Sequence, residues 1–149
     1  MKDPYAEGMF KENPYYMKSD VRGKLVVVLQ GAYEDRGLEL IQPVSRCVNR
    51  NEIHELIASD EEDAGPGKQV NRIAYIGFVE ILEGGVIIAG DQVIHNGESL
   101  GEIAGFDETH MPNHLNIVVR RGHRITGADA GCSTGDEITF KQAVVPYGQ

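Results

Sequence analysis

Tryptophan is absent, cysteine occurs only at Cys47 and Cys132, and positive charge is scarce: 14 Lys and Arg stand against 23 Asp and Glu, a formal net charge of -9. With a pI near 4.9, the chain is poorly suited to nucleic acid or an anionic membrane surface, because both recruit proteins through a basic footprint. Long apolar runs are missing as well. Residues 25–29 and 86–89 are the kind of run present, far short of the ~20 residues that span a bilayer. Residues 1–20 alternate charge, proline and tyrosine without the apolar stretch of a signal peptide. The two cysteines are far apart and form no CxxC. Together these absences point to reduced thiols in a cytoplasmic protein.

What is abundant is glycine, 18 of 149 residues, which favours short strands joined by tight turns over long helices. The length fits one domain with a core of its own. Tyr5, Phe10, Tyr15 and Tyr16 are four of the ten Phe and Tyr residues. With Pro4 and Pro14 biasing the backbone away from helix, residues 1–20 read either as a floppy leader or as an extended arm. In the second case the rings dock on the body or on a neighbouring subunit. The short strands, whose edges need cover, and this arm lead to the expectation of a homo-oligomer.

Residues 24–30 (KLVVVLQ) read as a buried strand bounded by Gly23 and Gly31, and residues 38–44 as its hairpin partner. Asn49 or Asn51 is placed to cap one short helix, in which Ile53, Leu56 and Ile57 form an apolar stripe. Glu52, His54 and Glu55 then fall on its solvated face. Residues 59–69 form an acidic loop punctuated by Gly and Pro. Its carboxylates lack the alternating ligand spacing of a calcium loop, so a solvated charge run is expected. From Val70 onward strands follow one another, and Asn96-Gly97 suits a two-residue type I′ hairpin.

Residues 70–95 align without gaps on residues 115–140. Asn71 matches Asn116, Gly77 matches Gly122, and Gly90-Asp91 matches Gly135-Asp136, with AGDQVIH answered by TGDEITF. A Gly-Asp turn entering a strand, present once in each of two pseudo-symmetric copies, resembles the GD-box of the cradle-loop β-barrels, the group that includes double-psi barrels. That resemblance covers residues 70–145. It implies a glycine in a backbone shape that side chains resist and an aspartate tying the turn to a neighbouring strand through backbone hydrogen bonds. Barrels of this group host enzymes, DNA-binding domains and passive modules alike, so the fold leaves function open.

Chemistry concentrates in residues 105–123, GFDETHMPNHLNIVVRRGH. Pro112 between His110 and His114 disrupts the helical turn that would put i and i+4 on one face, so this is not the HExxH arrangement. A loop could still bring both imidazoles to one divalent transition metal, with Asp107, Glu108 or His95 completing the shell. The alternative is that both histidines serve backbone hydrogen bonds. Arg120, Arg121, His123 and Arg124 form the one basic cluster. On a strand Arg120 and Arg121 point to opposite faces, so only one can clamp a ligand carboxylate. Cys132, in a Gly-rich turn with no base beside it, reads as structural, and neither a Walker nor a Rossmann pattern is present.

The expectation is thus a mainly β chain: a small, largely antiparallel β-barrel over residues 21–149 with one short helix and an extended arm over residues 1–20. Whether it is an enzyme is open. The first functional reading is a binding module for a small anionic ligand or a partner protein, with Arg121, His123 and Asn113 as ligand-binding residues. The alternative is a metal-dependent lyase or hydrolase acting on a small carboxylate. There His110, His114, Asp107 and His95 are the ligand candidates, Glu108 is the acid or base, and Arg121 is the clamp.

Overall fold

The computed structural model describes residues 18–143, so nearly all of the arm expected over residues 1–20 lies outside the described residues. The elements are β1 (Val21–Val28), β2 (Ala32–Tyr33), β3 (Leu38–Glu39), β4 (Ser45–Val48), β5 (Ile53–Ser59), β6 (Gln69–Val70), β7 (Ile73–Glu83), β8 (Gly85–Ile88), β9 (Gln92–His95), β10 (Glu98–Asp107), β11 (Asn116–Arg120) and β12 (Glu137–Lys141). The main sheet runs β1-β12-β9-β10-β11-β5-β7-β2, with a further pairing of β1 to β7. Pairing is antiparallel except between β11 and β5, which run parallel from Asn116 opposite Glu55 to Arg120 opposite Ser59. The architecture is mainly β and largely antiparallel. Its circuit is uneven: β5 pairs with β7 over seven residue pairs and β1 with β12 over four.

The expected helix does not form; no helix occurs among the described residues. Ile53, Leu56 and Ile57 belong to β5, which lies between β7 and β11 and is covered on both faces. Apolar side chains are therefore needed on successive positions, a pattern that also satisfies helical spacing over so few residues. His54 and Glu55, expected on a solvated helix face, are buried instead. The presumed cap is a turn: Asn51 takes φ +77°, and Glu52 accepts from the Asn49 backbone N–H at 2.9 Å. Two strand expectations also change. β1 alternates between buried and exposed side chains rather than being buried throughout. Leu38 pairs with Val70 of β6, so the expected hairpin with β1 is absent.

Apolar side chains fill both sides of the central strands. On one side Leu56 and Ala58 of β5, Ile76 and Val79 of β7, and Ile117 and Val119 of β11 join Leu25, Phe106, Ile138 and Phe140 in the principal core. On the other side Ile57, Ile73 and Val118 pack with Leu38, Leu40, Ala64, Val70 and Ala104 into a smaller cluster. That second cluster pins β3, β6 and the acidic loop over the sheet. Asp60 and Glu61 of this loop are not free in solvent as expected. Asp60 holds Arg72 through two contacts of 3.1 and 3.2 Å, and Glu61 accepts the Asn71 and Arg72 backbone N–H groups at 2.7 Å each. Glu62 and Asp63 remain exposed.

The two Gly-Asp turns have the same local geometry. Gly90 and Gly135 sit at φ +98° and +93°, a region that L side chains rarely adopt. Asp91 Oδ2 accepts from Ile88 N at 2.9 Å, and Asp136 Oδ2 from Ser133 N at 2.8 Å. The strands that follow, β9 and β12, pair with Ile94 opposite Thr139, positions that the 45-residue offset makes equivalent. Each carboxylate also meets a side-chain nitrogen: Lys18 Nζ at 2.9 Å from Asp91 and His95 Nε2 at 2.7 Å from Asp136. Between β9 and β10, Asn96 and Gly97 both take positive φ, +46° and +88°, as the hairpin reading expects.

Candidate functional site

Polar chemistry collects at the two ends of β11. At its start, one row of cross-strand partners runs from Phe78 on β7 through Glu55 on β5 and Asn116 on β11 to Asp107 on β10. Alternation places this row on the side of the smaller apolar cluster. Glu55, Asn116 and Asp107 are all buried, and the loop from Glu108 to Leu115 brings His114 over them. The His114 ring meets Phe78 edge-on at 5.2 Å, and its Nε2 lies 3.5 Å from Glu55 Oε1. His110 packs 4.9 Å from His114, centroid to centroid, and its Nε2 is 3.5 Å from Arg36. Asn113 Nδ2 donates to His114 Nδ1 at 2.9 Å.

This environment shifts the two central groups in opposite directions. Burial raises the Glu55 carboxyl, against the opposing pull of the Arg36 charge. Burial lowers His114, helped by the neighbouring His110 and His54. Both shifts favour neutral groups in a low-dielectric setting. His54, on the opposite side of β5, accepts the Leu115 backbone N–H on Nδ1 at 2.9 Å, leaving Nε2 to donate to Glu52 at 3.0 Å. It anchors the end of the histidine loop.

The residues singled out in the sequence are only partly brought together. His110, His114 and Asn113 are neighbours. Asp107 is committed to structure: Thr109 N, Thr109 Oγ1, Glu39 N and Asn116 Nδ2 donate to it at 2.9–3.1 Å. Burial opposes its ionisation, but these bonds outweigh it and hold the carboxyl below its ordinary range. Glu108 forms an ion pair with Arg46. His95 is engaged with Asp136 on the β9–β12 side. Among the described residues, no three His, Cys, Asp or Glu side chains are grouped so as to hold a metal ion. Glu55 and Asn116 of the row, and Arg36 beside His110, were missed. Glu55 had been assigned to a helix face, although an ionisable residue inside an apolar run was the available signal.

The other end of β11 opens into a cleft of about 410 Å³ lined by Asp60, Glu62, Gln92, Gly101, Glu102, Arg120, Arg121 and Gly122. Arg120 and Arg121 both line it, contrary to the expectation from strand alternation, because β11 ends at Arg120 and Arg121 lies past the pleat. Arg120 is occupied by an ion pair with Glu102 and donates to Ala64 O at 2.7 Å. Arg121 is different. Its Nη1 donates to Leu100 O at 3.1 Å, its Nε is buried without a hydrogen-bond partner, and no carboxylate pairs with it among the described residues. His123 and Asn113 line two other clefts. One, of about 330 Å³, includes Arg124, Thr126 and Asp129. The other, of about 370 Å³, includes Arg46, Cys47 and His54. The three residues expected to bind a ligand therefore line three different clefts.

No helix among the described residues is long and apolar enough to cross a membrane. No curated protein and no solved structure is significantly similar to the chain. One family does match, over residues 15–141, and it is described as a family of unknown function (DUF6917). That span covers most of the 149 residues, and the chain belongs to this family.

Proposed function

We propose that the protein is a small-ligand-binding module that takes an anionic group in the cleft at the end of β11, with Arg121 as the residue that receives it. The carrying observation is a half-buried guanidinium with no carboxylate partner among the described residues, in a cleft of small-molecule size. A charge held in a partly desolvated position is costly without a counter-charge, and a bound carboxylate supplies one through charge-assisted hydrogen bonds. In a chain of net charge -9, such an unmatched cation is also a selective feature against the surrounding negative field. In the same proposal the seven-strand circuit from β1 through β12, β9, β10, β11, β5 and β7 back to β1 is a small barrel. Its paired Gly-Asp turns support the cradle-loop comparison. The test is a thermal-denaturation titration with small monocarboxylates. A dose-dependent rise in midpoint, lost in Arg121→Gln, is the expected result. An equal rise in the variant would refute the assignment.

A second reading is a metal-dependent lyase or hydrolase at the start of β11. It is favoured by His114 Nε2, which is buried without a hydrogen bond at 3.5 Å from Glu55. Glu55 would replace Glu108 in the ligand or acid role beside His110 and His114, and His110 would have to leave Arg36. Elemental analysis of tag-free protein decides it. About one equivalent of zinc, iron or manganese per chain, lost in His114→Ala, supports this reading, while no bound metal after reconstitution removes it.

A further inference from the structure

The cleft that contains Arg121 also holds an unmatched negative charge, and the two together define a ligand class. Five of its lining residues are charged: Asp60, Glu62, Glu102, Arg120 and Arg121. Asp60 is held by Arg72 at 3.1 Å and by Arg124 at 3.5 Å. Glu102 and Arg120 hold each other. After these internal pairings one cation and one anion remain: Arg121, and Glu62, an exposed carboxylate with no ion-pair or hydrogen-bond partner among the described residues. A simple carboxylate would satisfy Arg121 but bring a second anion among Asp60, Glu62 and Glu102, where like charge disfavours it. A polyphosphate would meet that repulsion several times over.

We propose that the ligand is a small zwitterion of the amino-acid class, its carboxylate received by the Arg121 guanidinium and its ammonium by the Glu62 carboxylate. This rests on the anion-binding reading above and specifies the ligand for the same cleft. Two further lining residues fit a molecule of that kind. Gln92 accepts the Ser99 hydroxyl on Oε1 at 2.9 Å, which leaves its amide N–H groups to donate to a second carboxylate oxygen. Gly122 borders open space: a Cβ built there meets nothing within 4 Å, so the wall leaves room for a ligand side chain. Selectivity then follows from pairing both charges at once, since a ligand that lacks either one leaves a cleft charge unanswered.

Isothermal titration of the full chain with the proteinogenic amino acids, each compared with its N-acetyl derivative, tests this. At least one amino acid binds, and its N-acetyl derivative binds about tenfold or more weakly. Glu62→Gln loses a similar factor for the amino acid while leaving the N-acetyl derivative no weaker, and Arg121→Gln weakens both. Gly122→Leu, which fills open space and so keeps the fold, abolishes binding. If N-acetyl and free forms bind equally and Glu62→Gln changes neither, the zwitterion inference is wrong while the anion site stands. If no carboxylate binds, or if Arg121→Gln or Gly122→Leu leaves binding unchanged, the anion site itself is wrong and the inference goes with it.

Discussion

The two ends of β11 lie about 15 Å apart and use the same kinds of side chain to opposite effect. At the start, Asp107, Asn116 and Glu55 are buried beneath the loop that carries His114, and four donors satisfy Asp107. At the finish, Asp60, Glu102 and Arg120 are paired while Arg121 and Glu62, lining the same cleft, are left without a partner of opposite charge among the described residues. Where polar groups satisfy each other in a dry setting they specify a backbone path, here the route of the histidine loop. Where they are left unmatched at a cleft they are free for a ligand. A dense cluster of reactive residue types is therefore a weaker sign of a binding site than a sparse one with an unbalanced charge.

The comparison is broken most forcefully at Asp107. Asp107→Ala removes the acceptor for four donors and is expected to cost on the order of 3 kcal/mol or more, measured by urea denaturation. A loss under about 1 kcal/mol would mean that the row is not a structural network. Next in size, Gly101→Ala is expected to cost about 2 kcal/mol or more. Gly101 has φ +139°, and its Cβ would lie 2.4 Å from Arg120 O. Gly122→Ala, in the same cleft, should stay within about 0.5 kcal/mol, because its Cβ meets nothing within 4 Å. Smaller again is Arg121→Ala, whose stability in the absence of ligand should remain within about 1 kcal/mol of the parent, since one hydrogen bond is lost and an uncompensated charge goes with it. A large loss there would make Arg121 part of the structural region rather than its contrast.

The smallest effect concerns pH. Glu55 has its carboxyl raised in the folded state, so its ionisation penalises folding at neutral pH, and the penalty disappears as pH falls through the folded pKa toward the unfolded value. Glu55→Gln should therefore gain stability relative to the parent at pH 7 and lose that advantage near pH 4. A gain that persisted unchanged at pH 4 would contradict the assigned cause. His114, lowered in the fold, acts in the other direction. It leaves stability intact above its unfolded pKa and withdraws stability as pH falls from there through the folded pKa. His114→Gln should flatten the acid limb of the profile below about pH 6.5.

The strand content, the Asn96-Gly97 hairpin and the positive-φ glycines of both Gly-Asp turns were legible because each depends on local stereochemistry that residue type alone controls. The histidine loop was legible as a loop for the same reason, since Pro112 excludes a regular helix between His110 and His114. Tertiary structure alone decided that Ile53, Leu56 and Ile57 extend as β5, because its second paired edge comes from β11, far along the chain, and the cover on its second face from Leu38, Leu40, Ala64 and Val70. It also decided which charges remain unmatched. Arg120 and Arg121 are adjacent and chemically alike in sequence, yet one meets Glu102 across β10 and the other stands past the strand's end with no carboxylate. Pairing of charges is set by distance in space, and that is the information a linear order of residues does not carry.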